Sequence, residues 1–165
     1  MNFEEADVLN EAIRAIGIRH RALAVAALAP FGIHPGHKLL LMELEREGPQ
    51  TQAQLAAASG YEPPTITMSV RQLESAGLVR RRPSPTDRRA TLVELTDLGR
   101  AILPKVRTAW RRVAEQTTAG LSSEQAEGLK ALLPALAGAL IATVDPANVP
   151  RYAPHRLPQS RTSRQ

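Results

Sequence analysis

The chain has 165 residues, of which 43% are hydrophobic and 3% aromatic, so one or two compact cores can form and must consist of Leu, Ile, Val and Ala. It contains no cysteine, which excludes disulfides, thiolate metal sites and thiol-based redox sensing. The net charge of +5 suggests a nucleic-acid partner, although most of the excess comes from four arginines after position 145.

The beginning of the chain does not resemble a targeting signal. The first nine residues are acidic and lack the basic segment and apolar stretch of a signal peptide. The most apolar run, Ala22–Phe31, is too short to span a membrane and contains Pro30. We therefore expect a cytoplasmic protein that does not associate with membranes.

A long first helix is predicted over residues 4–29, where Pro30 ends it. Its apolar positions recur with alternating spacings of four and three, which is typical of a helix that packs along a seam. These positions are Leu9, Ile13, Ile16, His20, Leu23 and Ala27. The pattern predicts that another helix lies along this one.

Two shorter helices follow. Pro35 suits the first turn of the second helix, and Gly48 ends it. Thr51 and Gln54 have the spacing of a capping box at the start of the third helix. Gly60 is a natural residue just past its end, because glycine readily adopts the left-handed backbone found there.

The fourth helix is predicted from about Glu62 to Gly77 and has two different faces. One side is apolar and consists of Ile66, Val70 and Leu73. The opposite side carries Pro64, Met68, Arg71, Gln72 and Ser75, with Thr65 and Thr67 on its flanks. These are small and hydrogen-bonding groups rather than the Glu–Lys pairs of an ordinary solvated face. Such a face can approach base edges in a DNA groove, so this is the candidate recognition helix.

Two extended segments, 78–82 and 90–95, are predicted to pair as a β-hairpin. The loop between them is rich in turn formers and longer than a hairpin needs. It projects Arg88 and Arg89, whose guanidinium groups could enter the negative potential of a minor groove. Asp87 is predicted to orient one of these arginines through a charge-assisted hydrogen bond.

Two long helices complete the predicted elements. Thr96 is the expected N-cap of the fifth helix, which Pro104 should bend or delay. Ser122 and Gln125 fit a second capping box at the start of the sixth helix. Its apolar face is formed by Leu129, Leu132, Leu133, Leu136 and Leu140.

The second, third and fourth helices, followed by the hairpin, predict a winged helix-turn-helix, so the predicted fold class is mainly α with a small β-hairpin wing. We expect this DNA-binding domain to occupy residues 31–99. Residues 1–30 and 100–144 are expected to form a helical dimerisation region, because the seam and the leucine face exceed what one small winged domain can cover. Residues 145–165, rich in Pro and Arg, have little to bury and are read as a tail.

In combination, several segments resemble the MarR family of bacterial regulators. They are Gly36–Leu40, Gly48–Ala56, Pro63–Thr67, Leu73–Arg81, Pro85–Ala90 and Leu95–Gly99, within a resemblance that runs from about residue 4 to 143. The resemblance implies a homodimer with interlocked terminal helices and one winged domain per subunit. It also implies binding to a pseudo-palindromic operator in double-stranded DNA, usually as a repressor that small aromatic or phenolic ligands release.

The family's Asp-x-Arg wing motif falls on Asp87 and Arg89. Many members have a basic residue where this chain has Met68, which puts direct guanine readout from that position in doubt. Base specificity is then expected to rest on other residues of the same face or on the wing. The predicted DNA-binding residues are Pro64, Thr65, Thr67, Met68, Arg71, Gln72, Arg80, Asp87, Arg88 and Arg89.

The histidines suggest a second kind of site. His20 lies on the apolar stripe of the first helix, and a buried imidazole needs hydrogen-bond partners. It is either satisfied within the fold or across the dimer, or it lies in a ligand cleft near His37 and pairs with the carboxylate or phenolate of an effector. His34 and His37 have a spacing that occurs in metal sites, but no third ligand is near, so neither a metal nor another cofactor is expected.

Other functions and signals stay open at this point. The main alternative is a winged-helix module for protein–protein contacts, with the arginines facing an acidic partner. Binding to DNA with a steep salt dependence would separate the two. The sequence shows no catalytic triad order, nucleotide loop or carboxylate pair, so no enzymatic activity is expected. The regulatory signal is a small molecule, a protein partner, or absent.

Overall fold

A computed structural model describes residues 1–87 and 89–144, and the predictions for Arg88 and for the tail lie outside this range. The helices are α1 Phe3–Leu28, α2 Pro35–Glu47, α3 Gln52–Ser59, α4 Pro63–Ser75, α5 Asp97–Thr118 and α6 Ser123–Thr143. The strands are β1 Gln50–Thr51, β2 Val79–Pro83 and β3 Thr91–Leu95. This arrangement confirms the predicted fold class, mainly α with a winged helix-turn-helix.

The sheet has one strand more than predicted. Its order is β1-β3-β2 with antiparallel pairing, and the added strand pairs Gln50 with Val93 and Thr51 with Leu92. A strand of two residues has no periodicity to detect, so only the fold reveals it. It fixes the start of α3 to the base of the hairpin.

The predicted helix caps are confirmed. The Thr51 hydroxyl accepts a hydrogen bond from the Gln54 backbone at 3.2 Å, and the Gln54 side chain accepts from the Thr51 backbone at 2.8 Å. Ser122 and Gln125 make the same reciprocal pair at 3.2 and 2.9 Å. Thr96 caps α5 by accepting from the Gly99 backbone. These local signals therefore set the beginnings of three helices.

A Schellman turn connects α4 to the wing. Gly77 has φ +72°, in the left-handed region that glycine adopts without strain. Its N–H donates to the carbonyl of Glu74, and the N–H of Leu78 donates to the carbonyl of Leu73, both at 2.9 Å. The chain thereby leaves α4 and enters β2, and the last carbonyls of α4 are satisfied.

The expected delay of α5 at Pro104 is wrong, since the helix begins at Asp97 and is continuous through that proline. A proline removes one helical hydrogen bond, but here its neighbours Leu103 and Val106 are fully buried and hold the helix in place. In α6, likewise, the helix continues through Pro134. In α5, packing outweighs the intrinsic preference of one residue. In α6 no described residue is buried, so packing within the chain does not explain the continuity at Pro134.

The core lies between the C-terminal end of α1, helices α2 to α5 and the inner face of the sheet. Its largest fully buried side chains are Leu28, Leu40, Leu41, Leu55, Ile66, Leu73, Leu95, Leu103, Val70, Val79, Val93 and Val106. Three of these belong to the predicted apolar side of α4, which confirms the orientation of that helix.

Much of the apolar surface of α1 and α6 is uncovered. Along the predicted seam, Leu9, Ile13 and Ile16 are exposed and Leu23 and Ala27 are half-buried. The buried residues near the helix end are Ala24 and Leu28, each one position after a seam residue, so the predicted seam is wrong by one position there. Helix α6 has no fully buried residue among those described. By length and composition alone α6 could cross a membrane, and α1 with α2 would pass the same test as a pair bent by 63°.

Candidate nucleic-acid interface

The two faces of α4 match the sequence prediction. Ile66, Val70 and Leu73 are at most 1% exposed. Pro64, Met68, Arg71, Gln72 and Ser75 are all exposed, and Thr65 and Thr67 are half-buried at the flanks. The helix therefore has a buried apolar side that packs into the core and an exposed side with small and hydrogen-bonding groups.

Met68 and Arg71 are the protruding side chains in the middle of this face. Met68 is 61% exposed although it is apolar. Arg71 is exposed, and within residues 1–87 and 89–144 it makes no ion pair or side-chain hydrogen bond. An arginine without an internal partner keeps all five N–H donors for an external acceptor.

Thr67 is held by two acceptors within the fold. Its hydroxyl lies 2.9 Å from the Gln52 side-chain oxygen and 3.0 Å from the Pro63 carbonyl. A hydroxyl has one proton to donate, so both contacts draw on the same donor. What Thr67 offers outward is its methyl group and the remaining acceptor capacity of its oxygen. Gln52 was not among the predicted site residues, since nothing in its local sequence marks it.

Gln72 is tied to the start of α2. Its side-chain oxygen lies 2.9 Å from Nε2 of His37, which is 35 positions earlier in the chain. His37 is only 4% exposed, whereas Gln72 is exposed. A predicted ligand-binding residue is thus buried against a predicted DNA-binding residue.

His34 and His37 stack with ring centroids 3.5 Å apart. Burial lowers the pKa of His37 to about 4, aided by the neighbouring His34 and opposed by the hydrogen bond to Gln72. Burial also lowers the pKa of His34, with the charge of Arg21 as the next cause. Both rings are therefore neutral at pH 7. Among the described residues no group of three His, Cys, Asp or Glu side chains could hold a metal ion.

The wing loop is ordered by its own hydrogen bonds. The backbone N–H of Ser84 donates to the carbonyl of Ala90 at 2.9 Å. The Ser84 hydroxyl accepts from the backbone N–H groups of Thr86 and Asp87, both at 3.3 Å. The Asp87 carboxylate accepts from the backbone N–H of Arg89 at 2.9 Å. Asp87 was predicted to bond an arginine side chain, but in the structure it bonds the backbone N–H of Arg89. This is the turn-forming role in which aspartate bonds the backbone two residues on.

A buried carboxylate organises the arginines of β2. Oε1 of Glu94 accepts from Nε of Arg80 and Oε2 accepts from Nε of Arg82, both at 2.7 Å. These hydrogen bonds, first that of Arg82 and then that of Arg80, lower the pKa of Glu94. Arg81 lies on the other side of the strand, 3.5 Å from Glu74. Glu94 was missed, although its position opposite Arg80 is a favourable cross-strand pairing of unlike charges.

His20 has partners within the fold. Its Nδ1 lies 3.0 Å from the hydroxyl of Thr117, and that hydroxyl donates to the Val113 carbonyl at 2.7 Å. Nδ1 must therefore carry the proton and donate it. The ring also meets the edge of Trp110, over which Lys38 lies at 4.3 Å. These contacts support the interpretation of His20 as a structural residue whose hydrogen bonds are satisfied within the fold. His20 contacts Thr117, whereas His37 contacts Gln72, so the two histidines have different partners.

An open cleft of about 350 Å³ lies between Phe31, which follows α1, and one side of α5. It is lined by Phe31, Pro104, Lys105, Thr108, Ala109 and Arg112. Two cationic residues over an apolar floor would suit an aromatic anion. Neither His20 nor His37 lines this cleft.

Comparison with known proteins places this geometry in a family. Residues 31–90 match the MarR family model. A probable transcriptional regulator from Pseudomonas aeruginosa is 32% identical, with a TM-score of 0.69, and the alignment covers 78% of this chain and 96% of that one. A mutant MarR from E. coli, solved with operator DNA, is 24% identical with a TM-score of 0.67, covering 82% and 98%.

A third solved relative is BpsR from Bordetella bronchiseptica, described for the regulation of its DNA binding by 6-hydroxynicotinic acid. It is 21% identical with a TM-score of 0.65, and the alignment covers 78% of this chain and 97% of that one. The matched family model covers α2 to α4 and the first strand of the wing, and the alignment with the Pseudomonas relative covers 96% of that protein. The chain therefore belongs to the MarR family of winged helix-turn-helix transcriptional regulators.

Proposed function

We propose that this protein is a sequence-specific DNA-binding transcriptional regulator that acts as a homodimer on a pseudo-palindromic operator, as a repressor in the cytoplasm. The observation that carries the proposal is the combination of an exposed, unpaired Arg71 on the solvated face of α4 with a wing whose loop is ordered by its own hydrogen bonds. The operator complex of a MarR with the same fold supports it.

The proposed contacts divide into two groups. Residues on α4 approach base edges in the major groove, and residues of the wing contact the phosphate backbone and the minor groove of the DNA. The first group comprises Pro64, Thr65, Thr67, Met68, Arg71 and Gln72. The second comprises Arg80, Asp87, Arg88 and Arg89, with Asp87 acting through the loop backbone.

Wing binding is tested by Arg89→Ala. Because Arg89 is exposed at the loop tip and only its backbone is used within the fold, the variant should fold normally. We expect operator affinity to fall by about 1–3 kcal/mol in an equilibrium binding titration at fixed salt. Arg111→Ala is the matched control, since it removes the same charge from α5, where Arg111 pairs with Glu115. Equal losses in both variants would show a general charge effect and not a wing contact.

Homodimerisation is proposed from the uncovered apolar surface of α1 and α6. Exposed Leu9, Ile13 and Ile16 on α1 and Leu132 and Leu136 on α6 form faces that a soluble monomer rarely leaves in water. We propose that residues 1–30 and 100–144 form the dimerisation region and residues 31–99 the DNA-binding domain. A second copy is favoured over a lipid bilayer because α6 carries Glu124, Glu127 and Lys130 in its first turns.

Sedimentation equilibrium at micromolar concentration should give twice the chain mass of 17.9 kDa. The matched variants Leu132→Glu and Leu136→Glu, which place a charge in the leucine face, should shift the mass toward the monomer. A soluble monomer for the unmodified chain would refute the dimer.

Release by a small aromatic or phenolic ligand is part of the same proposal. It is supported by the cleft with Lys105 and Arg112 and by the aromatic acid that regulates DNA binding in the Bordetella relative. Displacement of operator DNA by aromatic acids is the test.

The second candidate function is a module that binds an acidic protein, which the arginines of β2 would also suit. DNA binding with a steep salt dependence would exclude it.

A further inference from the structure

We propose that His37 is a positioning residue that fixes the side-chain amide of Gln72, so that the NH2 group and not the carbonyl of Gln72 meets the base edge. The recognition helix would then favour a base that presents hydrogen-bond acceptors in the major groove, above all guanine. The inference deepens the proposed function and rests on it, because it concerns how the same helix reads DNA.

The tautomer of His37 is the first step. Nε2 of His37 lies 2.9 Å from the Gln72 side-chain oxygen, and Nδ1 is buried without a hydrogen-bond partner among the described residues. A buried N–H without an acceptor is rarer and more costly than a buried acceptor without a donor. The proton therefore belongs on Nε2, which donates to Gln72, and Nδ1 keeps its lone pair.

The orientation of the Gln72 amide follows from that donor. An N–H can only be matched by the amide oxygen, so the oxygen of Gln72 is turned toward α2. The same oxygen raises the pKa of both His34 and His37, as an acceptor does, although burial outweighs it. The two N–H donors of the amide are then left for the exposed side of the helix.

The rigidity of the pair comes from the packing around His37. The ring is 4% exposed and stacks on His34 at 3.5 Å, and His34 caps α2 by accepting from the Gly36 backbone at 3.2 Å. An imidazole fixed in this way keeps Nε2 directed at Gln72, and the lack of an acceptor at Nδ1 among the described residues keeps the proton on Nε2. Gln72 thus reaches DNA already oriented, and binding requires less ordering of its side chain.

The chemistry of base edges gives the expected preference. Guanine offers two acceptors in the major groove, O6 and N7, which match the two N–H groups of the amide. Glutamine usually reads adenine through both the oxygen and the NH2 group of its amide, and here the amide oxygen is turned toward His37 and away from the exposed side of the helix. Guanine is therefore expected to be favoured at the base pair that Gln72 contacts.

The test is a binding selection from random duplexes with the full-length protein and three variants. Gln72→Ala identifies the contacted base pair as the one whose preference is lost. His37→Leu keeps a buried apolar group but removes the donor, and should lower the discrimination against adenine at that pair by roughly five- to a hundredfold, with affinity for non-specific DNA unchanged. His37→Gln supplies another N–H donor and should retain the guanine preference.

An unchanged preference in His37→Leu would overturn the inference, as would a preference for adenine in the unmodified protein. Nitrogen-15 NMR of the His37 ring at neutral pH is a second measurement that needs no DNA. It should show the proton on Nε2, and a proton on Nδ1 would overturn the inference even if the protein binds its operator. Absence of any sequence preference in the unmodified protein would instead refute the proposed function.

Discussion

Replacing Gly99 with alanine is expected to destabilise the fold by about 3 kcal/mol or more. A Cβ at this position would lie 2.0 Å from the carbonyl oxygen of Leu78, a backbone atom. That carbonyl accepts from the Thr96 backbone at 3.1 Å, and the Leu78 N–H is fixed to Leu73 at 2.9 Å. The oxygen cannot retreat without breaking the turn that joins α4 to the wing, so the clash has to move α5.

Gly138→Ala is the matched control for this prediction. It makes the same change inside α6, on the side away from the leucine face, where an added Cβ has no neighbour within 4 Å. Alanine is there expected to stabilise the helix by up to about 1 kcal/mol. Chemical denaturation of both variants at one protein concentration measures the difference. Equal midpoints for the two variants would contradict the close approach at Gly99.

The parts of the fold that were predicted correctly depend on residues close together in sequence. The capping box of Thr51 and Gln54 spans three positions, and the two faces of α4 follow from its helical period. The turn at Gly77 is likewise local. Such patterns are properties of one element, and they need no knowledge of what packs against it.

The contacts that define the candidate site are of another kind. Glu94 meets Arg80 and Arg82 across the hairpin, at separations of 14 and 12 positions. His37 meets Gln72 at a separation of 35. Periodicity predicts which face a residue occupies but not which distant residue faces it. The sequence therefore predicted which side of α4 is exposed but not the distant residues, such as Glu94, that hold the arginines in place.

The apolar pattern of α1 shows the same limit at a larger scale. Its alternating spacing predicted a seam, and in the single chain the buried residues of α1, Ala24 and Leu28, lie one position after the seam residues Leu23 and Ala27. The exposed part, including Ile13 and Ile16, has a pattern typical of a packed helix. A pattern in one chain does not specify whether its partner belongs to the same chain, and a second copy is the occupant that we propose.

Below about pH 6.5 the folded state is expected to lose stability through His37. Its pKa is about 4 in the fold, because burial and the neighbouring His34 disfavour the charged ring, against 6.5 in an unfolded chain. Above pH 6.5 both states hold a neutral ring, and the fold is not penalised. As the pH falls toward 4, the unfolded state binds a proton that the folded state excludes.

The sign is therefore a loss of stability on acidification, at about 1.4 kcal/mol for each pH unit between the two pKa values, or on the order of 3 kcal/mol in total. His34 acts in the same direction, because burial and the charge of Arg21 lower its pKa. Lys38 on the same helix stays cationic over this range, although burial lowers its pKa. The stability that Glu94 contributes through its hydrogen bonds to Arg82 and Arg80 is lost at lower pH, since these bonds hold the pKa of Glu94 below the ordinary carboxyl value.

Urea titrations from pH 7.5 to 4.5 measure this dependence, at a fixed protein concentration because the proposed dimerisation would contribute to stability. His37→Gln is the informative variant, since it keeps an N–H donor for Gln72 but has no group that titrates in this range. Its stability should fall less steeply with acidification than that of the unmodified protein. Parallel curves for the two proteins would mean that the acid sensitivity arises elsewhere and that His37 is not kept neutral by the fold.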